Sequence, residues 1–192
     1  VENQLEELAR GNLDFAIHIR QADYGPEFQV ELLGGSPPGI LVRRGHPLTE
    51  GPVTLERLAD YPLIRLYISD VEQLEILRNS AGYSSMLEHQ RGTLEISHLL
   101  TALEVLRNTD YFMPGPVYIA QEGGTTQDIV ALPAPNAGGQ NIDYALVAHN
   151  RTANSPLHQW LWEQIRCTIR DLRTHLPHKA RRRFIGGARS TV

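Results

Sequence analysis

Apolar residues recur along this chain with two spacings, a helical one and a strand-like one, and the two take turns. Leu5, Leu8 and Ala9 share one helical face, which predicts a helix over 2–10 stopped by Gly11. LDFAIHI at 13–19 is nearly all apolar and rich in β-formers, as expected of a strand buried on both faces. At 28–33, Phe28, Val30 and Leu32 alternate with Gln29 and Glu31, a second strand. GSPPG at 35–39 reads as a turn, so ILVRR at 40–44 runs back antiparallel to the second strand if the turn makes a hairpin. PVTLERLADYP reads as a short helix with Thr54 as N-cap, Leu55, Leu58 and Ala59 on its apolar face, and Pro62 as its stop. LIRLYI at 63–68 is the next strand.

The alternation continues. Asp70 opens a helix that carries Val71, Leu74 and Leu77 and stops at Gly82. TLEI at 93–96 is a short strand, and Ser97 caps a helix with Leu99, Leu103 and Leu106 on one side. DYFMP at 110–114 is a strand ended by Pro114-Gly115-Pro116, with a helical turn around 117–121. Strands follow at 128–132 and 142–149, separated by a Pro/Gly/Asn loop at 133–141. Ser155-Pro156 starts a helix with Leu157, Leu161, Ile165, Ile169 and Leu172 facing inward, stopping near Pro177. The remainder, 177–192, has no periodicity and reads as a charged, disordered tail.

Helices alternating with strands define an α/β fold. The βα units fall into two clusters, which predicts two lobes: 1–64 with 143–176, and 65–142. The chain then crosses between lobes near 63–68 and returns near 133–142. Two extended crossings make a hinge, and a hinge between α/β lobes makes a cleft, with ligands at the carboxyl ends of the strands.

Composition narrows the function. With 192 residues the chain can bury a sizeable core. A formal net charge of −4 argues against a surface that tracks nucleic acid. Its single cysteine, Cys167, permits no intrachain disulfide and points to a reducing, cytoplasmic compartment. No apolar run approaches the roughly 18 residues of a membrane span, and no signal peptide is visible.

Catalytic and metal-binding patterns are thin, so neither a catalytic residue, a metal site nor a cofactor is assigned. His46, between Gly45 and Pro47, suits a turn at the end of a strand. Ser97, His98 and Asp110 are the residue types of a triad, but adjacent side chains at a helix start point apart. Cys167 falls within an amphipathic helix, and His175 and His178 lie at a frayed end.

Binding features are better. Ser97-His98 opens a helix after a strand, where free N–H groups suit an anion; Ser97 alternatively serves only as a cap. Arg20 at a strand's carboxyl end either forks onto a carboxylate or is solvated. Tyr67 and Ser69 either hydrogen-bond a ligand at the hinge or, with Asp70, merely begin the next helix. Phe112 either forms an apolar cleft wall or packs in the core.

LARGNLDFAI (8–17), FQVELLGGSPPGILVRRGHPL (28–48) and TLERLADYPLI (54–64) together resemble the regulatory half of LysR-type transcriptional regulators. HLLTALEVLRNTDYFMPGPVYIA and DYALVAHNRTANSPLHQWLWEQI extend the resemblance, which covers about 1–173. It assigns RRGHPL no catalytic duty. It implies a two-lobed fold like that of periplasmic binding proteins, with a small-molecule effector in the cleft between lobes. It also implies coupling to a separate N-terminal winged helix-turn-helix that binds DNA, in a homodimer or homotetramer. Carried over by position, the cleft-lining places are Ile17, Ile19, Ile68, Ser69, Ser97, His98 and Ile142. The DNA-binding domain and the first strand-helix-strand of the regulatory half have no counterpart in these residues, and Arg107-Asn108-Thr109-Asp110 replaces the family's usual Gly-rich approach to the next strand. The expected effector is a small, partly apolar anionic metabolite such as an aromatic carboxylate. The rival reading is a free-standing solute-binding protein serving a transporter; an enzyme on this scaffold is disfavoured.

Overall fold

The structure, a computed structural model, describes residues 4–66, 92–120, 126–135 and 141–174. The expected helix with Val71, Leu74 and Leu77, the residues Tyr67, Ile68 and Ser69, the pair His175 and His178, and the tail at 177–192 lie outside the described residues. In chain order the elements are α1 (Gln4–Arg10), β1 (Ala16–Ile19), β2 (Phe28–Ser36), β3 (Pro38–Arg43), α2 (Leu55–Ala59), β4 (Leu63–Leu66) and β5 (Thr93–Ile96). Then follow α3 (Leu99–Asn108), β6 (Met113–Pro116), β7 (Ile129–Pro133), β8 (Ile142–His149) and α4 (Pro156–Thr174). Short 3₁₀ turns lie at Pro47–Thr49, Val117–Ala120 and Asn150–Thr152.

β8 is the middle strand of a sheet ordered β1-β8-β2, antiparallel on both sides. Successive residues of β8 point to opposite faces, and each face is covered by one helix. Ala145 and Val147 pack with Leu8 of α1, while Leu146 and Ala148 pack with Trp162 of α4. β1 was expected to be buried on both faces. It is instead an edge strand among the described residues: Ala16 and His18 are buried, but Ile17 between them is half exposed.

A second sheet is ordered β6-β3-β7, and β4 pairs in parallel with β5. An isolated parallel bridge between Leu63 and Phe112 joins the two ladders. β3 at the centre is buried from Gly39 to Val42, with Ile40 and Val42 facing Leu48 and Leu58, and Leu41 facing α3. Met113, Ile64 and Ile129 complete the α3 side with Ala102, Leu103 and Leu106.

The expected hairpin between the second and third strands does not form. β2 runs on through the glycines to Ser36, with a bulge between Leu32 and Gly34. Gly34 has φ 95°, a backbone conformation that a side chain would strain. β3 then begins at Pro38 in the other sheet. Pro37-Pro38 is thus an extended crossing and not a turn, because proline's fixed φ is as compatible with extended chain as with a turn. The lobe division moves accordingly. Residues 38–64 pack with 93–133, so the crossing expected at 63–68 lies at Ser36–Pro38.

The strand expected at 110–114 also runs through its prolines. The Phe112 N–H donates to the Pro62 carbonyl (3.0 Å) and its carbonyl accepts from the Ile64 N–H (2.8 Å), so at this parity the backbone faces β4. Pro114 and Pro116 share that parity, so their missing N–H groups cost the ladder to β3 nothing.

α4 is rotated from its expected setting. Leu157 and Leu161, expected inward, are exposed, and the buried face runs through Trp162, Ile165 and Ile169. Two polar anchors set this rotation: His158 Nε2 lies 2.9 Å from Asp14, and Trp162 Nε1–H donates to Glu31 (3.1 Å). Arg166 also ion-pairs with Glu31.

Candidate functional site

Strand direction decides what the two sheets present to each other. β8 begins at Ile142, opposite Ser36, so the start of β8 marks the crossing. β1 is antiparallel to β8, with Ile19 opposite Tyr144, so β1 ends toward the crossing. β6 ends at Pro116, opposite Pro38, the first residue of β3 beyond the crossing. β4 and β5 run parallel to the chain at Phe112 and so end the same way. The carboxyl ends of β1, β4 and β5 therefore all point toward the junction of the two sheets.

At the end of β1, the Arg20 N–H donates to the Asp143 carbonyl (2.7 Å), and the Arg20 guanidinium lies 4.0 Å from the Asp143 carboxylate. Both side chains are well exposed, so this pair is loose. At the end of β5, Ser97 and His98 are exposed. His98, not the expected Ser97, is the N-cap of α3, and its side chain makes no capping bond. The Ala102 N–H reaches the His98 carbonyl (3.1 Å), and among the described residues no side chain caps the preceding N–H groups of the first turn, which lies at the junction end of β5.

Two expected cleft residues are buried. Phe112 is 0% exposed, enclosed by Ile40, Val42, Leu48, Leu58 and Leu63, so it is core and not a cleft wall. Ile142 is also buried, and its place opposite Ser36 makes it part of the crossing. Ile17 and Ile19 both lie on the α4 face of their sheet. The remaining expected residues, Tyr67, Ile68 and Ser69, follow β4 directly in sequence but lie outside the described residues.

Sequence reasoning missed Asp143, Tyr144, Tyr118 and Ser36, which also gather at the junction. Tyr118 Oη lies 3.3 Å from Tyr144 Oη, and Ser36 Oγ accepts from the Tyr118 N–H (3.3 Å). Nothing in IDYAL or GPVYIA singles these residues out; only the crossing brings them together.

His46 is fully buried, away from the junction. Nδ1 accepts from the Leu48 N–H (2.9 Å), so Nε2 carries the proton and donates to the Asp110 carbonyl (3.1 Å). Burial, above all, holds its pKa below the ordinary 6.5, against the opposing pull of Asp110. It is a structural cap, as its turn setting suggested. Among the described residues no three His, Cys, Asp or Glu side chains gather as a metal site, and no helix is long and apolar enough to cross a membrane.

The model of the LysR substrate binding domain matches residues 1–170. The chain belongs to that family, with its periplasmic-binding-protein-like α/β fold of two lobes and a cleft between them. It is similar to the solved structure of a protein assigned as a transcriptional regulator in Vibrio parahaemolyticus, at 24% identity and TM-score 0.68 over 88% of this chain and 77% of that one. It is also similar to the regulatory domain of MexT, a transcriptional activator in Pseudomonas aeruginosa, at 17% identity and TM-score 0.61 over 84% of this chain and 77% of that one. The C-terminal domain of a protein assigned to the LysR regulators in Rhodococcus sp. RHA1 matches at 20% identity and TM-score 0.61, over 83% of this chain and 77% of that one. No curated protein matches the chain.

Proposed function

We propose that this chain is the effector-binding regulatory part of a LysR-type transcriptional regulator, taking a small molecule between its two units. The observation that carries this is the shared direction of strand ends: Ile19 and Arg20 from one unit, and Ser97 and His98 from the other, project toward the same junction. A ligand touching both groups prefers one angle between the units, which makes its binding a population shift. Coupling to a separate DNA-binding domain in a homodimer or homotetramer then requires a preference of only about 1–3 kcal/mol between states. In this reading the protein acts in the cytoplasm and leaves the ligand chemically intact.

The open first turn of α3 favours an anion and Arg20 adds a cation, so the ligand class is a small carboxylate, with Ile17 and Ile19 supplying apolar contact. The sequence adds Tyr67, Ile68 and Ser69 to the residues expected at this site. A thermal-shift screen of small aromatic carboxylates tests it, because a ligand that binds only the native state raises the melting temperature. For an acid that shifts the wild type, Ser97→Ala, His98→Ala and Arg20→Ala each reduce the shift while leaving the unliganded melting temperature unchanged. Equal shifts in all three variants remove these residues from the site.

A further inference from the structure

The crossing between the units is stiffened on one side. The Val117 N–H donates to the Pro37 carbonyl (3.0 Å), and the Tyr118 N–H donates to Ser36 Oγ (3.3 Å). Gly39 accommodates this closeness: a Cβ there would meet Val117 Cγ1 at 2.7 Å. The turn at Val117–Ala120 is thus seated on the crossing itself. From that seat Tyr118, part of the second unit, reaches Tyr144, part of β8 in the first. The two hydroxyls are 3.3 Å apart, and the rings meet edge to face at 6.0 Å and 74°.

A change of angle at Ser36–Pro38 leaves the turn riding with the second unit and β8 with the first. The tyrosine contact spans the pivot, so it stretches or breaks. Ser36 and Ile142 lie opposite each other at the pivot and change separation little.

We propose that Tyr118 and Tyr144 form a breakable strut that holds the two units at the angle seen here, so that any movement which opens or twists the junction must release it. The proposal rests on the two-unit reading above but on neither the effector nor its site. Both tyrosines retain exposed surface, so water can replace the lost bond, and the strut biases the angle without locking it. Removing it changes the ratio of the two arrangements by about two- to tenfold, the range expected from the net worth of one hydrogen bond.

The native Cys167 on α4 and Leu100→Cys on the exposed side of α3 offer one spin-label position in each unit. Electron–electron distance measurement on this doubly labelled protein, without ligand, reads the angle directly. Tyr118→Phe and Tyr144→Phe are each expected to broaden the distance distribution or add a second distance. The double variant is expected to do no more than either single change, since both remove the same bond. Distributions identical across wild type and all three variants overturn the strut. So does a change in Tyr144→Phe alone, which assigns the effect to another contact of the Tyr144 hydroxyl. Circular dichroism confirms that each variant is folded before its distances are read. A strut that passes while no carboxylate shifts the melting temperature leaves the strut standing and the effector reading fallen; the reverse pair of results does the opposite.

Discussion

The two units use the same ingredients, a small sheet and helices on its faces, yet they are sealed to different degrees. In the second unit β3 has strands on both edges and buried side chains on both faces, so Ile40, Leu41 and Val42 are all excluded from solvent. In the first unit β1 is an edge strand among the described residues, and Ile17, Leu32, Leu157, Trp160 and Leu161 stay exposed. The teaching is about position in a sheet. A central antiparallel strand flanked by β-formers loses its alternation, because both faces are core. An edge strand keeps alternation even when its sequence is nearly all apolar, as at β1.

The largest test of this difference is a pair of truncations. Leu41→Ala is expected to cost about 2–5 kcal/mol, because it opens a cavity in a closed core. Ile17→Ala, at a half-exposed edge, is expected to stay within about 0.5 kcal/mol. Urea denaturation of the two variants reads both costs. A comparable loss at Ile17 breaks the comparison, since it means the edge of β1 is covered.

His46 provides the next test. Replacing it with alanine leaves the buried Leu48 N–H unpaired and takes the partner from the part-buried Asp110 carbonyl, at an expected cost of about 1–3 kcal/mol. Its titration has a definite sign. The folded pKa lies below the ordinary 6.5, so the unfolded chain binds the proton more readily. Stability from this group is fully present above pH 6.5 and declines as the pH falls from there through the folded value. Stability measured from pH 8 to pH 5 is expected to fall in the wild type and to be flatter in His46→Gln. The same slope in both proteins assigns the pH dependence to other groups.

The smallest expected effects are at exposed ion pairs. Arg10→Ala removes contacts with Glu6 and Glu7 in the first unit, and Arg65→Ala removes the pair with Glu95 in the second. Each is expected to change stability by about 0–1 kcal/mol, less at high salt. A larger loss at Arg65 implies that the β4–β5 pair depends on charge more than on its apolar face.

His149 sharpens the comparison between His46 and an exposed counterpart. Its Nδ1 accepts from the Arg151 N–H (3.1 Å), capping a 3₁₀ turn as His46 caps the turn at Pro47–Thr49. His46 is buried and also grips Asp110, whereas His149 is partly exposed and stacks edge-on against Phe28. Local chemistry is the same in both. Burial and the bond to Asp110 add to this, for His46, a role in joining distant segments.

Much of the fold was legible residue by residue. Thr54 as a cap, Gly11 as a stop, Ser155-Pro156 as a start and the strand at 142–149 depend on backbone preferences of neighbouring residues, and these act within a few positions. The resemblance carried by the ordered motifs from LARGNLDFAI onward agrees with the family of the chain. Of the candidate site, Ser97, His98, Ile19 and Arg20 were legible because strand ends and helix starts are local features. Phe112 was not separable from a cleft residue, because an aromatic side chain at a strand end reads the same in sequence whether a sheet or a space lies beside it.

The sequence alone determined the element types, most of their limits and the family. Tertiary structure alone decided that Pro37-Pro38 crosses between sheets, that 38–64 joins the second unit, and that α4 turns Trp162 inward in place of Leu157 and Leu161. The physical reason is the same in each case. Proline, glycine and an apolar face specify what the backbone and side chains tolerate, but which partner they meet depends on long-range pairing, and that free energy is shared among residues far apart along the chain.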